Sequence, residues 1–294
     1  MAIKKVGVLG FGLMGSGIVQ VCAQAGLETV VREVDQKFID NGFGMINKNL
    51  SRAVKKEKIS QSDMDGILGR IKGTLELEDL KDCDLIMEAV TEDLKIKNDM
   101  FSTLDKVCGE KTIFASNTSS LTIIEMAAAT NRPDRFCGLH FFNPVPVMVL
   151  VEVVKTIASN QETIDACMEF CKTIGKKAIL AKDTAGFIVN RLGVAFILDA
   201  IRVYEEGLAS AEDIDNGIKL GLNHPMGPLT LLDFLGLDTL YYVGNIMFDE
   251  FRDARFAPPP LLRKMVLAGY LGRKSGKGFY DYSGEKPVPT DLNL

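Results

Sequence analysis

The sequence predicts an α/β domain over residues 1–184, a parallel sheet with helices on both faces, followed by an all-α domain over residues 185–294. Three observations carry this. In the first half, short β-branched apolar runs alternate with stretches of helical spacing, the pattern of a chain that returns to one sheet through crossover helices. The first such run leads directly into a glycine-rich turn and a helix. Beyond Gly186, helical spacing continues with no strand signal. The 294 residues are enough for one large domain or two.

In chain order, strands are predicted at Lys5–Leu9, Thr29–Glu33, Ile71–Thr74, Asp84–Ala89, Thr112–Ser116 and Phe136–Phe141, and a later run, Ala178–Ala181, extends the sheet. Helices fill the gaps at Gly15–Ala25, Gln36–Lys56, Ser62–Gly69, Leu94–Val107, Ile123–Ala129 and Gln161–Ile174. Gly26 and Gly175 stand where left-handed C-caps belong. In the second half, Ile188, Leu192, Ala195, Leu198 and Ile201 recur at helical spacing from Phe187 to Glu206. Ser210-Ala211-Glu212-Asp213 resembles a capping box that opens a helix running to Gly221. Pro228–Phe251 and Pro260–Ala268 read as two more helices with proline near the start. Residues 283–294 read as a loose tail.

Bulk properties exclude several classes. A net charge of −5 gives no reason to expect nucleic acid or an anionic membrane as partner. No uninterrupted apolar stretch is long enough to span a bilayer, and the N-terminal residues enter a strand without a charged and apolar leader, so a cytoplasmic location is expected. The six cysteines are scattered and read as buried reduced thiols. With only two histidines, His140 and His224, a metal enzyme is not expected. Long apolar helices in a small second domain suggest a homodimer; a broad domain interface would satisfy them as well.

The glycine turn is Gly10-Phe11-Gly12-Leu13-Met14-Gly15, a G-x-G-x-x-G between a strand and a helix. The first glycine allows the tight turn, the second lets backbone approach a pyrophosphate, and the third lets the helix pack close to the strand. The helix N-terminus then faces the phosphates. Glu33, 23 residues past Gly10, ends the second strand at the spacing of a carboxylate that binds a ribose hydroxyl. A Rossmann-type dinucleotide site is therefore predicted.

Further candidates fall at the carboxyl ends of strands, where ligands bind in open α/β sheets. His140 ends one strand, and Glu152 follows in an otherwise apolar run, Val149–Val154. A buried acid needs a partner, and a His–Glu pair serves either as a structural pair or as an oriented general base. Ser116-Asn117-Thr118-Ser119-Ser120 follows another strand and offers small donors; a serine there also serves as N-cap for the helix at Ile123. Asn190 falls in the first turn of the long helix, as a substrate contact or a cap. Ser51 to Lys58 is a basic patch, either a solvated helix face or a seat for a polyanionic tail. Gly272–Tyr280 lacks the spacing of a phosphate loop.

Together the chain resembles the short-chain L-3-hydroxyacyl-CoA dehydrogenases, most closely the bacterial members acting on 3-hydroxybutyryl-CoA. The matching segments are Gly10–Gly17, Ala115–Ser120, His140-Phe141-Phe142-Asn143-Pro144, Gly186–Arg191, Asn223–Pro228 and Leu271–Tyr282, in order along nearly the whole chain. The resemblance implies His140 as general base, Glu152 as its orienting carboxylate, and Ser119 and Asn190 as donors to the substrate oxygen. It implies cofactor contacts at the glycine loop (Gly10, Phe11, Gly12, Leu13, Met14, Gly15), Glu33, Glu92, Lys97, Ser119, Asn143 and Lys274. It implies coenzyme A contacts at Ser51 and Lys58, with Lys55 or Lys56 nearby, and so a short-chain acyl-CoA substrate. Two departures stand out: Glu33 replaces the aspartate usual in relatives, and Val149 a common lysine. NAD is the expected cofactor, because a carboxylate repels a 2′-phosphate; Arg32, next to it, keeps NADP open. Two rival readings are a dehydrogenase of a free hydroxy or sugar acid, and a non-catalytic NAD-binding structural protein.

Overall fold

Eight strands form one sheet in the order β3-β2-β1-β4-β5-β6-β7-β8 in the computed structural model, which describes residues 2–292. They are β1 (Lys5–Leu9), β2 (Glu28–Arg32), β3 (Ile71–Thr74), β4 (Leu85–Glu88), β5 (Ile113–Ser116), β6 (Phe136–Phe141), β7 (Leu150–Lys155) and β8 (Lys177–Lys182). The helices between them are α1 (Leu13–Gln24), α2 (Gln36–Lys55), α3 (Gln61–Leu68), α4 (Leu94–Val107), α5 (Ile123–Ala127) and α6 (Gln161–Thr173). β1 lies in the middle of the sheet, and Val6, Val8 and Leu9 are wholly buried, as a strand covered on both faces requires. α2 shows the complementary pattern, burying only Ile39, Gly42, Ile46 and Leu50, one stripe at helical spacing.

The chain builds outward from β1 to β3, then crosses back to place β4 on the other side of β1. That reversal opens a crevice at the carboxyl ends of β1 and β4, where such sheets bind ligands.

The sheet is not wholly parallel. β7 is absent from the sequence prediction, which read its residues only as an apolar run, and it runs antiparallel to β6; β8 then runs parallel to β7. The reason is connection length. Residues 142–149 carry two prolines and are too few for a crossover helix, so the chain can only turn back on itself. This hairpin sets His140 directly opposite Glu152.

Compact units divide after Phe187. The second unit contains α7 (Val189–Glu205), α8 (Ala211–Gly221), α9 (Pro228–Leu235), α10 (Leu237–Phe251) and α11 (Pro260–Leu267), with β9 (Tyr280–Asp281) and β10 (Val288–Pro289). Ser210 caps α8 through the N–H of Asp213. The helix predicted from Pro228 to Phe251 is two helices, broken at Gly236, whose φ of +101° no helix accommodates. Nor is the chain after Tyr282 merely a loose tail: β10 folds back on β9, and the N–H of Thr290 donates to the Phe279 carbonyl (2.9 Å). Residues 293–294 of that expected tail lie outside the described residues.

Buried carboxylates organise this unit. Asp215 accepts from the N–H groups of Leu229 (2.8 Å) and Thr230 (3.0 Å), which are orphan donors at the start of α9, and from the Tyr280 hydroxyl (2.9 Å). Asp233 accepts from the N–H groups of Phe279 (2.9 Å) and Tyr280 (2.8 Å) and from the Tyr282 hydroxyl. Burial pushes the Asp233 carboxyl above the usual range despite those bonds. Among the described residues, no helix is long and apolar enough to cross a membrane.

Candidate active site

At the end of β1 the glycine turn has the geometry its spacing predicts. Gly10 has φ of +91°, and a Cβ there would fall 2.7 Å from the Ala89 carbonyl oxygen. A Cβ on Gly15 would fall 2.0 Å from the Gly10 carbonyl oxygen, so α1 can start this close to β1 only with glycine there. Gly12 differs: a Cβ would meet nothing within 4 Å. Among the described residues nothing requires a glycine at that position, which fits a surface kept flat for an approaching ligand. α1 begins at this residue with no side-chain cap and no acidic residue in its first turn. Its exposed N–H groups and positive end suit a pyrophosphate.

Glu33, just past β2, reaches back to this turn. Its carboxylate accepts from the N–H of Phe11 (2.6 Å) and from that of Val34 (3.1 Å). The Arg32 side chain instead donates through Nε to the Leu75 carbonyl (3.3 Å). Both residues line a cleft of about 690 Å³ bounded by Gly10–Gly12, Phe38, Met45, Ala89–Thr91, Ile96 and Met100. The walls are mostly apolar, as a purine-sized ligand would need. The glycine turn, the uncapped helix and this cleft together fit a dinucleotide.

His140 and Glu152 are both buried, with Nδ1 2.7 Å from Oε2. An ionised carboxylate only accepts hydrogen bonds, so Nδ1 carries the proton and donates, leaving Nε2 with a lone pair. The Phe142 and Phe187 rings flank the imidazole at centroid distances of 4.6 and 5.5 Å. The arrangement is that of a histidine held in one tautomer and ready to take a proton.

Ser119 is half-buried in the segment after β5. Both neighbouring hydroxyls are committed: Thr118 Oγ1 and Ser120 Oγ donate to Glu92 Oε1. The expected serine cap of α5 is therefore not formed. Thr122 stands at that N-cap without a side-chain bond, and the carboxylate of Asp183 accepts from the N–H groups of Ile123 (2.9 Å) and Ile124 (2.8 Å) instead. Glu92 also pairs with Lys97 at 2.9 Å. Burial raises the Glu92 carboxyl, but the Lys97 ammonium and the hydrogen bonds from Thr118, Lys97 and Ser120 outweigh that and hold it below the usual carboxylate range. Lys97 is 1% exposed and lies against Glu88 as well, at 2.7 and 2.8 Å. Glu88 was missed in the sequence; the one signal was an acid closing the apolar strand Leu85–Glu88.

Leu13 and Met14 open α1. Asn143 is exposed at the start of the β6–β7 loop. Ser51 is half-buried near the end of α2, with Lys55, Lys56 and Lys58 exposed around it; no carboxylate pairs with these lysines among the described residues. Asn190 and Lys274 lie in the second unit. Asn190 is in the first turn of α7, whose N-cap is Ile188, and Lys274 pairs with Asp238 at 2.5 Å. All six cysteines are buried and free, and the sulfurs of Cys137 and Cys167 lie 3.4 Å apart.

A glycine-turn dinucleotide cleft and an oriented histidine within one α/β unit define an oxidoreductase of the nicotinamide-dependent class. The comparisons give the family. Residues 5–184 match the family model "3-hydroxyacyl-CoA dehydrogenase, NAD binding domain", and residues 186–282 match "3-hydroxyacyl-CoA dehydrogenase, C-terminal domain". The chain is 47% identical over 283 residues to a 3-hydroxybutyryl-CoA dehydrogenase of Mycobacterium tuberculosis, covering 96% of this chain and 99% of that protein. It is 46% identical over 279 residues to the 3-hydroxybutyryl-CoA dehydrogenase of Clostridioides difficile, covering 95% and 99%. The crystal structure of (S)-3-hydroxybutyryl-CoA dehydrogenase PaaH1 from Ralstonia eutropha superposes with a TM-score of 0.93 at 45% identity, covering 96% of this chain and 100% of that one. The chain belongs to the 3-hydroxyacyl-CoA dehydrogenase family: it is an NAD-binding oxidoreductase acting on CH–OH groups.

Proposed function

We propose that the chain interconverts (S)-3-hydroxybutyryl-CoA and acetoacetyl-CoA, with His140 as general base. The carrying observation is the buried His140–Glu152 pair, which leaves Nε2 free at the carboxyl end of β6. The names of the relatives above support the substrate class.

The glycine turn, the α1 N-terminus and Glu33 would hold NAD, whose nicotinamide when bound accepts or returns the hydride at C3 of the substrate. In the oxidative direction His140 Nε2 takes the hydroxyl proton. Glu152 keeps Nδ1 protonated and faces the imidazolium that results. Ser119 stabilises charge on the substrate oxygen. The resemblance assigns Asn190 to the same oxygen and Lys274, Glu92, Lys97 and Asn143 to the cofactor. The exposed lysines 55, 56 and 58, with Ser51, suit the phosphates of coenzyme A.

Oxidation of NADH by acetoacetyl-CoA, but not by free acetoacetate, tests the reading. Equal turnover with the free acid would replace it with a hydroxy-acid dehydrogenase, and NADH binding without turnover would leave a non-catalytic protein. Assembly with a second copy belongs to the same proposal. Leu192, Leu220 and Leu222 of the helical unit are all more than half exposed, and light scattering would read the mass.

A further inference from the structure

Glu88 is the most heavily bonded side chain near the proposed oxygen site, and the mechanism above gives it no task. It is fully buried. Oε1 accepts from Lys97 Nζ (2.7 Å) and the Val90 N–H (2.7 Å), and Oε2 from Lys97 Nζ (2.8 Å) and Ser116 Oγ (2.5 Å). Its own carbonyl accepts the N–H of Asn117 (2.8 Å).

Two arms leave this carboxylate. One runs through Lys97 to Glu92, which accepts the hydroxyls on both sides of Ser119. The other runs through Ser116 and Asn117, whose Oδ1 accepts the N–H of Phe141, the residue after His140. One arm ends on the hydroxyls that flank Ser119, the other on the N–H of the residue after His140. A buried carboxylate with every oxygen engaged has no freedom to shift, so both ends are referred to one fixed point.

We propose that Glu88 is a positioning residue for the hydride-transfer site, holding the Ser119 segment in place through Lys97 and Glu92. The inference rests on the functional reading above, because it takes Ser119 as the donor to substrate oxygen. Replacing the carboxylate with an amide turns an NH₂ or a weaker acceptor toward the Lys97 ammonium. Lys97 then loses its anchor, Glu92 follows it, and Ser119 drifts. A displacement of about 1 Å in a positioned group costs on the order of 10²-fold in rate.

The test is a double-mutant cycle on kcat, at saturating NADH and acetoacetyl-CoA and well below the melting temperature. Glu88→Gln is expected to lower kcat by roughly tenfold or more, with KM for acetoacetyl-CoA little changed. In the Ser119→Ala background the same substitution is expected to cost only a small further factor, because residues acting through one another do not add. Wild-type kcat for Glu88→Gln alongside a slow Ser119→Ala overturns the inference and leaves the functional reading intact. So does a full, additive loss in the Ser119→Ala background, the signature of a general structural fault. Wild-type kcat for Ser119→Ala removes Ser119 from the donor role and overturns the inference with it, while the reaction itself, which the assay reads, stands. Should Glu88→Gln fail to fold, Ser116→Ala, which removes one hydroxyl from the same carboxylate, is read in the same cycle by the same criteria.

Discussion

His140 and Glu152 face each other in register across two antiparallel strands, Nδ1 to Oε2 at 2.7 Å, and both are buried. The pairing decides which ring nitrogen is available. It follows that the carboxylate acts by charge and orientation together.

His140→Ala is expected to leave NADH binding intact and to lower kcat by about 10²–10⁴-fold, the usual share of a positioned general base. Glu152→Gln keeps the shape but removes the charge and can turn an amide NH₂ toward Nδ1, which moves the ring proton to Nε2, so its kcat is expected to fall on the order of 10⁴-fold, as far as that of His140→Ala. Steady-state kinetics with fluorescence titration of NADH checks both, and near-normal turnover for His140→Ala would remove it from the base role.

Cofactor choice is expected to favour NADH. Glu33 is held against the Phe11 N–H, whereas Arg32 is turned toward the Leu75 carbonyl. The 2′-phosphate of NADPH would meet the carboxylate first. Glu33→Gln is expected to narrow the preference by about tenfold, equivalent to about 1.4 kcal/mol, in the ratio of kcat/KM for the two cofactors.

Replacing Lys55, Lys56 and Lys58 together with alanine is expected to raise KM for acetoacetyl-CoA by about tenfold with kcat unchanged, since exposed ion pairs contribute on the order of 0.2–1 kcal/mol each. The wild-type KM should climb with salt and the variant's should not. A variant that loses kcat instead would place these lysines elsewhere in the reaction.

Glu92 makes stability depend on pH. Its folded pKa lies below its unfolded value, so the stabilisation is complete above the unfolded value of about 4.3 and is lost as pH falls through the folded one. Ser120→Ala removes one donor to this carboxylate and is expected to cost about 1.5 kcal/mol at neutral pH. The gap in melting temperature between the two proteins should then close as pH falls from the unfolded value through the lower folded one, and a gap constant with pH would show that the bond does not favour the ionised form.

Asp215→Ala is expected to destabilise the helical unit by about 2–4 kcal/mol, because it leaves two N–H groups of α9 and the Tyr280 hydroxyl without their acceptor. Thermal or denaturant melts read the loss, and an unchanged midpoint would show that water replaces the carboxylate at no cost.

Much of this molecule is written in local pattern. The glycine turn, the helices with side-chain caps and the strands that follow each crossover were legible because each depends on neighbours in sequence. β7 was not, since Glu152 interrupts an apolar run and only the turn at residues 142–149 reveals that the run pairs backwards. Glu88 was hidden for a related reason. An acid at a strand end reads as the point where the chain meets water, and the lysine that buries it comes from the next helix. The break at Gly236 was invisible because a single glycine interrupts an otherwise unbroken helical pattern. The expected serine cap failed by competition, since Glu92 takes two of the hydroxyls and Asp183 supplies the cap from far along the chain.

The β6–β7 connection acts as a gauge. Side chains along a strand alternate between faces, so a slip of one residue in this ladder would turn His140 or Glu152 to the opposite side of the sheet. Lys176 pins the connecting segment by donating to the carbonyls of Val145 (2.6 Å) and Met148 (2.7 Å). An insertion that lengthened the segment while keeping those anchors would bulge outward harmlessly. An insertion absorbed by the ladder would leave a folded sheet with its proton acceptor facing a valine.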